Sequence, residues 1–474
     1  MLLLPLFSIG PANPAAAATD APATIFGREV APARPLDEAE REERRRRFEA
    51  MLEEKGLERH GDVVGPSRLF APSSPVPATQ EEWSYPPHRA TIFLNFFGGD
   101  MSNGTNSALM ESTCIPGGKF AYPGFSGTEA QALAIIETFE SLLEPYGVRI
   151  AYEKAPPPEL PYAMVMMGGT PDLIGLPNGV LGVSCSSDCG DRWWRDTTLA
   201  FTAAASPNQT NTLSTTALHE AAHAFGLGHI DKAQSSPFVM HPYVDNSPKV
   251  WGDECEEYNA ATGGINCQST HDYWCAGGSQ NTHAELMAYF GANGPDTVPP
   301  VVEILAPEDG TELAVGANVS LEVAVTDDHE GAGWKLMIYK DDVFVQEQPT
   351  FDFQSEWYLS GLPKGVYRLR VQALDHDRNV GADEVTLYVG MEAPASTSSS
   401  GEEPTTGGAA DETGAPPTGS GDDDASSGGA SGLSTTDAPS QEGDDGCSCF
   451  TGAGAAPPLA WLVLLVGLSR RRRR

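Results

Sequence analysis

Apolar positions along the chain fall into two zones with different periods, separated and flanked by stretches that carry almost none. In the first zone residues 90–97 form an apolar run bounded by His88, Arg89, Gly98 and Gly99, which predicts a buried strand. Ser126 and Glu129 have the spacing of a capping box, and Ile135, Phe139, Leu142 and Leu143 follow at helical intervals. Pro145 and Gly147 end that helix, and residues 148–152 resume as a strand. Residues 162–167, 179–184 and 198–203 are further strands, and 281–290 is a closing helix. In the second zone, residues 301–305, 319–325, 334–339, 366–374 and 384–389 alternate apolar and polar positions between turn residues, predicting an all-β module over 297–390. The expected fold class is α+β: a mixed, twisted sheet with two or three helices over 88–294, then a β-sandwich.

Outside these zones the pattern changes character. Residues 37–56 are a charge-dense helical stretch with four consecutive arginines, Arg44 to Arg47. Such a stretch is ordinarily a solvated helix face; lying upstream of the first zone it suggests a propeptide or N-terminal linker over 19–87. Residues 391–446 are rich in Gly, Ser, Thr and Pro, with twelve acidic residues and no basic ones. Too little apolar surface is available there to offset chain entropy, so a disordered, self-repelling stalk is expected. The stalk supplies a third of the formal net charge of −36, and so acidic an exterior argues against nucleic-acid binding.

One short stretch carries chemistry. His219, Glu220, His223, Gly226 and His229 fit H-E-x-x-H-x-x-G-x-x-H at every specified position. Residues four apart on a helix share a face, so His219 and His223 present their imidazoles together. Gly226 supplies the backbone freedom for the chain to leave the helix, and His229 returns as a third nitrogen ligand. Three protein ligands with an open fourth position are the catalytic form of zinc coordination. Glu220 stands beside that position as general base and acid. One Zn2+ per chain is expected, and a calcium requirement is not legible.

This motif resembles that of the metzincin clan of zinc metallopeptidases. Met240, eleven residues after His229, looks like the clan's methionine turn, which lies under the metal. The resemblance covers roughly residues 88–292 and implies the clan's strand, helix and motif-helix order. Tyr243 falls one position too late to match the tyrosine of some families, which leaves it without a catalytic role. Some metzincins are kept latent by an upstream cysteine, but no cysteine precedes Cys114. Residues 179–184 are the candidate edge strand for an extended peptide. Leu374, Asp375, His376, Asp377, Arg378 and Asn379 resemble the penultimate turn of bacterial immunoglobulin-like domains, so 297–390 is expected to be such a sandwich, by default a spacer.

Cys114, Cys185, Cys189, Cys255, Cys267 and Cys275 lie within the first zone. Their even number suggests three disulfides, with fifteen pairings open. Cys185 with Cys189 and Cys255 with Cys267 would be local loops, leaving Cys114 with Cys275. A second metal site is the competing reading, though the spacings suit no zinc pattern. Residues 1–18 read as a signal peptide cut after Ala18, although the first basic residue is Arg28. Either the signal is atypical or translation begins further upstream. Cys447 and Cys449 precede an apolar run at 457–468 and the arginines that end the chain, Arg470 to Arg474. This tail, 447–474, resembles the C-terminal sorting tails of myxobacterial surface proteins; a plain tail anchor is the alternative. Both place the protein outside the cytoplasm, at a bacterial surface or released from it. The expected function is a secreted zinc endopeptidase acting on protein or peptide substrates. The rival is a surface adhesin with a vestigial peptidase domain.

Overall fold

A computed structural model describes residues 23–70, 85–185, 187, 189–191, 194–204, 209–259, 267–275, 277–351 and 356–394. The expected signal peptide, the stalk beyond residue 394, and the tail with Cys447 and Cys449 lie outside the described residues.

After a short antiparallel pairing of Thr24–Ile25 with Arg28–Glu29, the chain forms helix α1 (Glu38–Lys55), closed by an Asp37–Glu40 capping box and by Gly56 in the left-handed region. A tight hairpin follows, β1 (Leu57–His60) against β2 (Val63–Pro66), turning on Gly61 and Asp62. Gly61 has φ +65°, the conformation that a two-residue hairpin turn asks of glycine.

Five strands then make the first sheet: β3 (Ala90–Asn95), β4 (Val148–Ala151), β5 (Ala163–Met167), β6 (Gly182–Val183) and β7 (Thr197–Ala200). Their spatial order is β6-β7-β5-β3-β4, with β6 the single antiparallel member at one edge. Because side chains alternate across a strand, Ile92, Leu94, Val165 and Met167 face one layer and Phe93, Met164 and Met166 the other. The first layer is helix α2 (Glu129–Leu143) and helix α3 (Thr210–Ala224), packed through Ile135, Phe139, Leu218 and Phe225. The opposite layer is closed in part by Phe48 and Met51 of α1, so the N-terminal segment is folded onto the sheet. Burying two such side chains contributes about 1.5–3 kcal/mol each. The nearby Arg41–Asp172 ion pair is partly exposed and adds little. Short helix α4 (Gln268–Trp274) and helix α5 (Thr282–Phe290) complete the region.

The expected helix after residue 126 is present, but its cap differs. Thr128 accepts the Gln131 N–H and the Gln131 side chain accepts the Thr128 N–H, while Glu129 is turned away to receive the backbone N–H of Phe26. The cysteine pairing also differs from the local-loop expectation. The bonds are Cys114–Cys185, Cys189–Cys267 and Cys255–Cys275. Cys185 continues the line of β6, its carbonyl receives the Thr113 hydroxyl, and this brings it to Cys114 rather than to Cys189. Helix α4 sets Cys267 and Cys275 at opposite ends, and pairing of Glu256–Glu257 with Ser279–Gln280 brings Cys255 to the Cys275 end.

The second region is a β-sandwich. Strands β8 (Val301–Ala306), β10 (Val319–Thr326) and β13 (Glu356–Leu359) form one sheet. Strands β9 (Thr311–Leu313), β11 (Gly333–Lys340), β12 (Val343–Pro349), β14 (Gly365–Leu374) and β15 (Val380–Val389) form the other. Every second residue of β14 is buried, giving a core that includes Leu321, Leu336, Leu369, Val371 and Leu387. The sandwich does not hang free. Its turns meet the first sheet through Thr91 Oγ1 and His376 Nδ1 at 2.8 Å, Arg149 Nε donating to Asp377 at 2.9 Å, and Arg89 N donating to Glu330 O at 3.2 Å. No described helix is long and apolar enough to cross a membrane.

Candidate metal centre

Helix α3 is buried from Thr212 to Ala224, an unusual setting for two histidines and a glutamate. Leu213, Ala217, Leu218, Ala221 and Ala222 supply its contacts to the core, and the small alanines let the helix sit close to the sheet. His219 and His223 lie one turn apart, as their spacing requires. Gly226, at φ +103°, carries the chain out of the helix, and His229 then faces back. Its Nε2 lies 3.1 Å from Nε2 of both His219 and His223.

Two of the rings are oriented from behind. Nδ1 of His219 lies 2.7 Å from the Val239 carbonyl, and Nδ1 of His223 lies 2.7 Å from the Leu227 carbonyl. A carbonyl can only accept, so each Nδ1 carries the proton and each Nε2 turns a lone pair toward the shared centre. Burial, then the neighbouring His219, lowers the pKa of His223 to about 4, which keeps that ring neutral. Two lone pairs directed at one point, with a third ring nitrogen 3.1 Å from each, call for a proton or a metal cation between them. The nitrogen set fits zinc.

Met240 is fully buried, next along the chain to the Val239 carbonyl that meets His219. Its own carbonyl accepts the Ile230 N–H at 3.0 Å. Sequence reasoning missed that the Val239 and Leu227 carbonyls orient the His219 and His223 rings. Tyr243 is exposed at the rim of the cleft.

Glu220 is buried beside the histidines, and one of its carboxylate oxygens has no hydrogen-bond partner. Burial, and then the negative charge of Asp62, push its pKa well above the usual carboxylate range. The carboxylate packs on the edge strand: a Cβ at Gly182 would run into it, so glycine is what fits there.

The fourth corner corrects an expectation. It is not open: the carboxylate of Asp62, from the tip of the β1–β2 hairpin, faces all three rings. Oδ1 lies 3.2 Å from His229 Nε2 and 3.6 Å from His223 Nε2, and Oδ2 lies 3.5 Å from His219 Nε2. Burial opposes ionisation of Asp62, but its neighbour His229 favours the charged form, and the carboxyl lies well below its usual range. The same hairpin covers the edge strand. Val64 N donates to Ser184 O at 2.8 Å, and Ser184 N donates to Asp62 O at 2.9 Å, with the two segments parallel. The edge strand expected at 179–184 is therefore a real edge of the sheet, reduced to Gly182–Val183 and capped by the chain's own N-terminal segment. The remaining cavity, about 540 Å³, is lined by Asp62, Gly182, Thr216, Glu220, His229 and Tyr243 among others. Asp62 was missed because a Gly-Asp turn reads as ordinary loop chemistry, and nothing local connects it to histidines so far along the chain.

Comparison with known proteins bears on the second region. Residues 300–371 match the bacterial Ig domain family, so the sandwich contains a bacterial Ig-like domain. No curated protein matches the chain. Similar solved structures include the fibronectin(III)-like modules of CbhA from Clostridium thermocellum, 16% identical, with 20% of this chain and 48% of that chain covered and a TM-score of 0.17. The chain thus spans about half the length of that structure. The PKD domain of human KIAA0319 is 22% identical, with 23% of this chain and 96% of that chain covered and a TM-score of 0.16.

Proposed function

We propose that the chain is a zinc endopeptidase of metzincin type, in a form that its N-terminal segment keeps closed. The observation that carries this reading is the convergence of three Nε2 atoms, those of His219 and His223 fixed as lone pairs by the carbonyls behind them, beside a buried, underbonded glutamate. His219, His223 and His229 would hold the metal, which when bound supplies a Lewis acid and lowers the pKa of water. Glu220 would take the proton of that water and deliver it to the leaving amine, a role that suits a carboxylate shielded from solvent. Gly182 keeps room for that carboxylate. Main-chain groups around β6 would hold an extended protein or peptide substrate, the position now taken by residues 62–64.

Asp62 then acts as a plug: it occupies the corner that water needs, and its hairpin occupies the substrate's edge. Residues 19–87 are on this reading a propeptide, and a cut within 71–84 followed by its departure would open the cleft. The tail and signal readings make the enzyme extracellular, at the surface of a bacterium. The test is zinc content by elemental analysis, together with cleavage of denatured casein before and after the N-terminal segment is removed. One zinc per chain, and cleavage that appears on removal and is abolished by a chelator, is the expected result. One zinc per chain with no cleavage after removal would favour the vestigial, adhesin-like alternative.

A further inference from the structure

A second cluster of ligating groups lies away from the histidines, at the seam between the two folded regions. Asp296 belongs to the connection between α5 and the sandwich, Asp327 follows β10, and Asp375 follows β14. Each turns one carboxylate oxygen into a common space, all within 4.8 Å of one another.

The hydrogen bonding of these groups is incomplete in a directed way. The Asp296 side chain is 1% exposed; one oxygen accepts the Val298 N–H, while Oδ2 has no hydrogen-bond partner. His329 Nδ1 stands 3.3 Å from that oxygen without forming a hydrogen bond to it. Both oxygens of Asp327 are shielded from solvent and have no hydrogen-bond partner. Asp375 is 2% exposed and is held in place by the N–H and side-chain amide of Asn379, each at 2.8 Å. The same amide nitrogen donates to the Asp296 carbonyl at 3.1 Å, so the geometry is fixed from outside the cluster. Among the described residues, no lysine or arginine pairs with any of the three. Arg149, at the same seam, is taken by Asp377. Burial, then the charges of Asp375 and Asp296, raise the pKa of Asp327 to about 6. Three carboxylates buried together need a positive charge. An all-oxygen set suits a hard cation and not the metal that three imidazoles select.

We propose that Asp296, Asp327 and Asp375 form a calcium site that locks the Ig-like sandwich to the α+β region. The turns that carry these residues also carry the contacts across the seam: Glu330 accepts from Arg89, His376 meets Thr91, and Asp377 meets Arg149. Filling the site fixes those turns, and with them the junction. The proposal does not depend on peptidase activity.

The test uses the full chain, stripped of metals and reloaded with one equivalent of zinc, and titrated with calcium by calorimetry and by thermal melting. The expected result is one calcium per chain beyond the zinc, with a melting transition raised by several degrees in millimolar calcium. Asp327→Asn and Asp296→Asn retain side-chain volume and relieve repulsion, so they should fold; each should weaken calcium binding by about tenfold or more. Glu220→Gln should respond to calcium as the parent does, which keeps this test separate from that of the histidine site. Absence of calcium uptake by the parent chain overturns the proposal. So does uptake that is unchanged in both asparagine variants, or a parent chain stabilised by acidification and indifferent to calcium, since a shared proton would then balance the cluster.

Discussion

The α+β region and the sandwich bury their polar residues by opposite rules. In the first, a helix that carries two histidines and a glutamate is driven through the core, and its imidazoles are met by backbone carbonyls and by a visiting aspartate. In the second, the strands alternate so strictly that the core is apolar, and polar chemistry is pushed to the turns at one end. Chemistry on a helix is stiff and set at fixed intervals. Chemistry on turns depends on something holding the turns together.

That contrast can be tested by substitution. Glu220→Gln keeps the side chain's size and removes its charge, so zinc content should be unchanged while casein cleavage by the opened form falls by about a thousandfold or more. Undiminished turnover would remove Glu220 from the chemistry. Leu369→Ala hollows the sandwich core and should cost about 2–5 kcal/mol, read as a lower transition in thermal unfolding. Zinc affinity should be unmoved, because no residue of that strand reaches the histidines; a loss of zinc would mean that the two regions unfold as one. Asp62→Ala should give the uncleaved chain casein-cleaving activity, roughly tenfold or more above the parent. The rise should be smaller than that produced by removing the segment, since Val64 and Ser184 still cover the edge. Gly182→Ala should lower turnover several-fold with little change in zinc content, because the added methyl group displaces the Glu220 carboxylate.

Legibility in the sequence followed the range of the interactions. Helices α2 and α5 and the five expected sandwich strands are set by local periodicity, and the structure places them within a few residues of expectation. The convergence of His219, His223 and His229 was also legible, because motif spacing is a local quantity. Asp62 was not, since its role arises only when a hairpin tip is folded across the sheet. The disulfides were misread for the same reason: Cys185 lies close to Cys189 in sequence, but an extended strand end directs it to Cys114. Asp296, Asp327 and Asp375 each look like a solvated turn residue, and only the stacking of three turns at one seam makes them a group. In the sandwich, β9, β12 and β13 were not anticipated, and neither was the β1–β2 hairpin of the N-terminal segment.

The stretch from Asp62 to Val64 runs in the same direction as the strand it covers, tethered there by two amide contacts and one carboxylate. A ligand laid down with the reverse polarity would offer its peptide groups in the opposite order to the same histidines. A free peptide copying residues 57–66 therefore already has the makings of an antagonist added in trans, with its aspartate carboxylate as well as its polarity available to block.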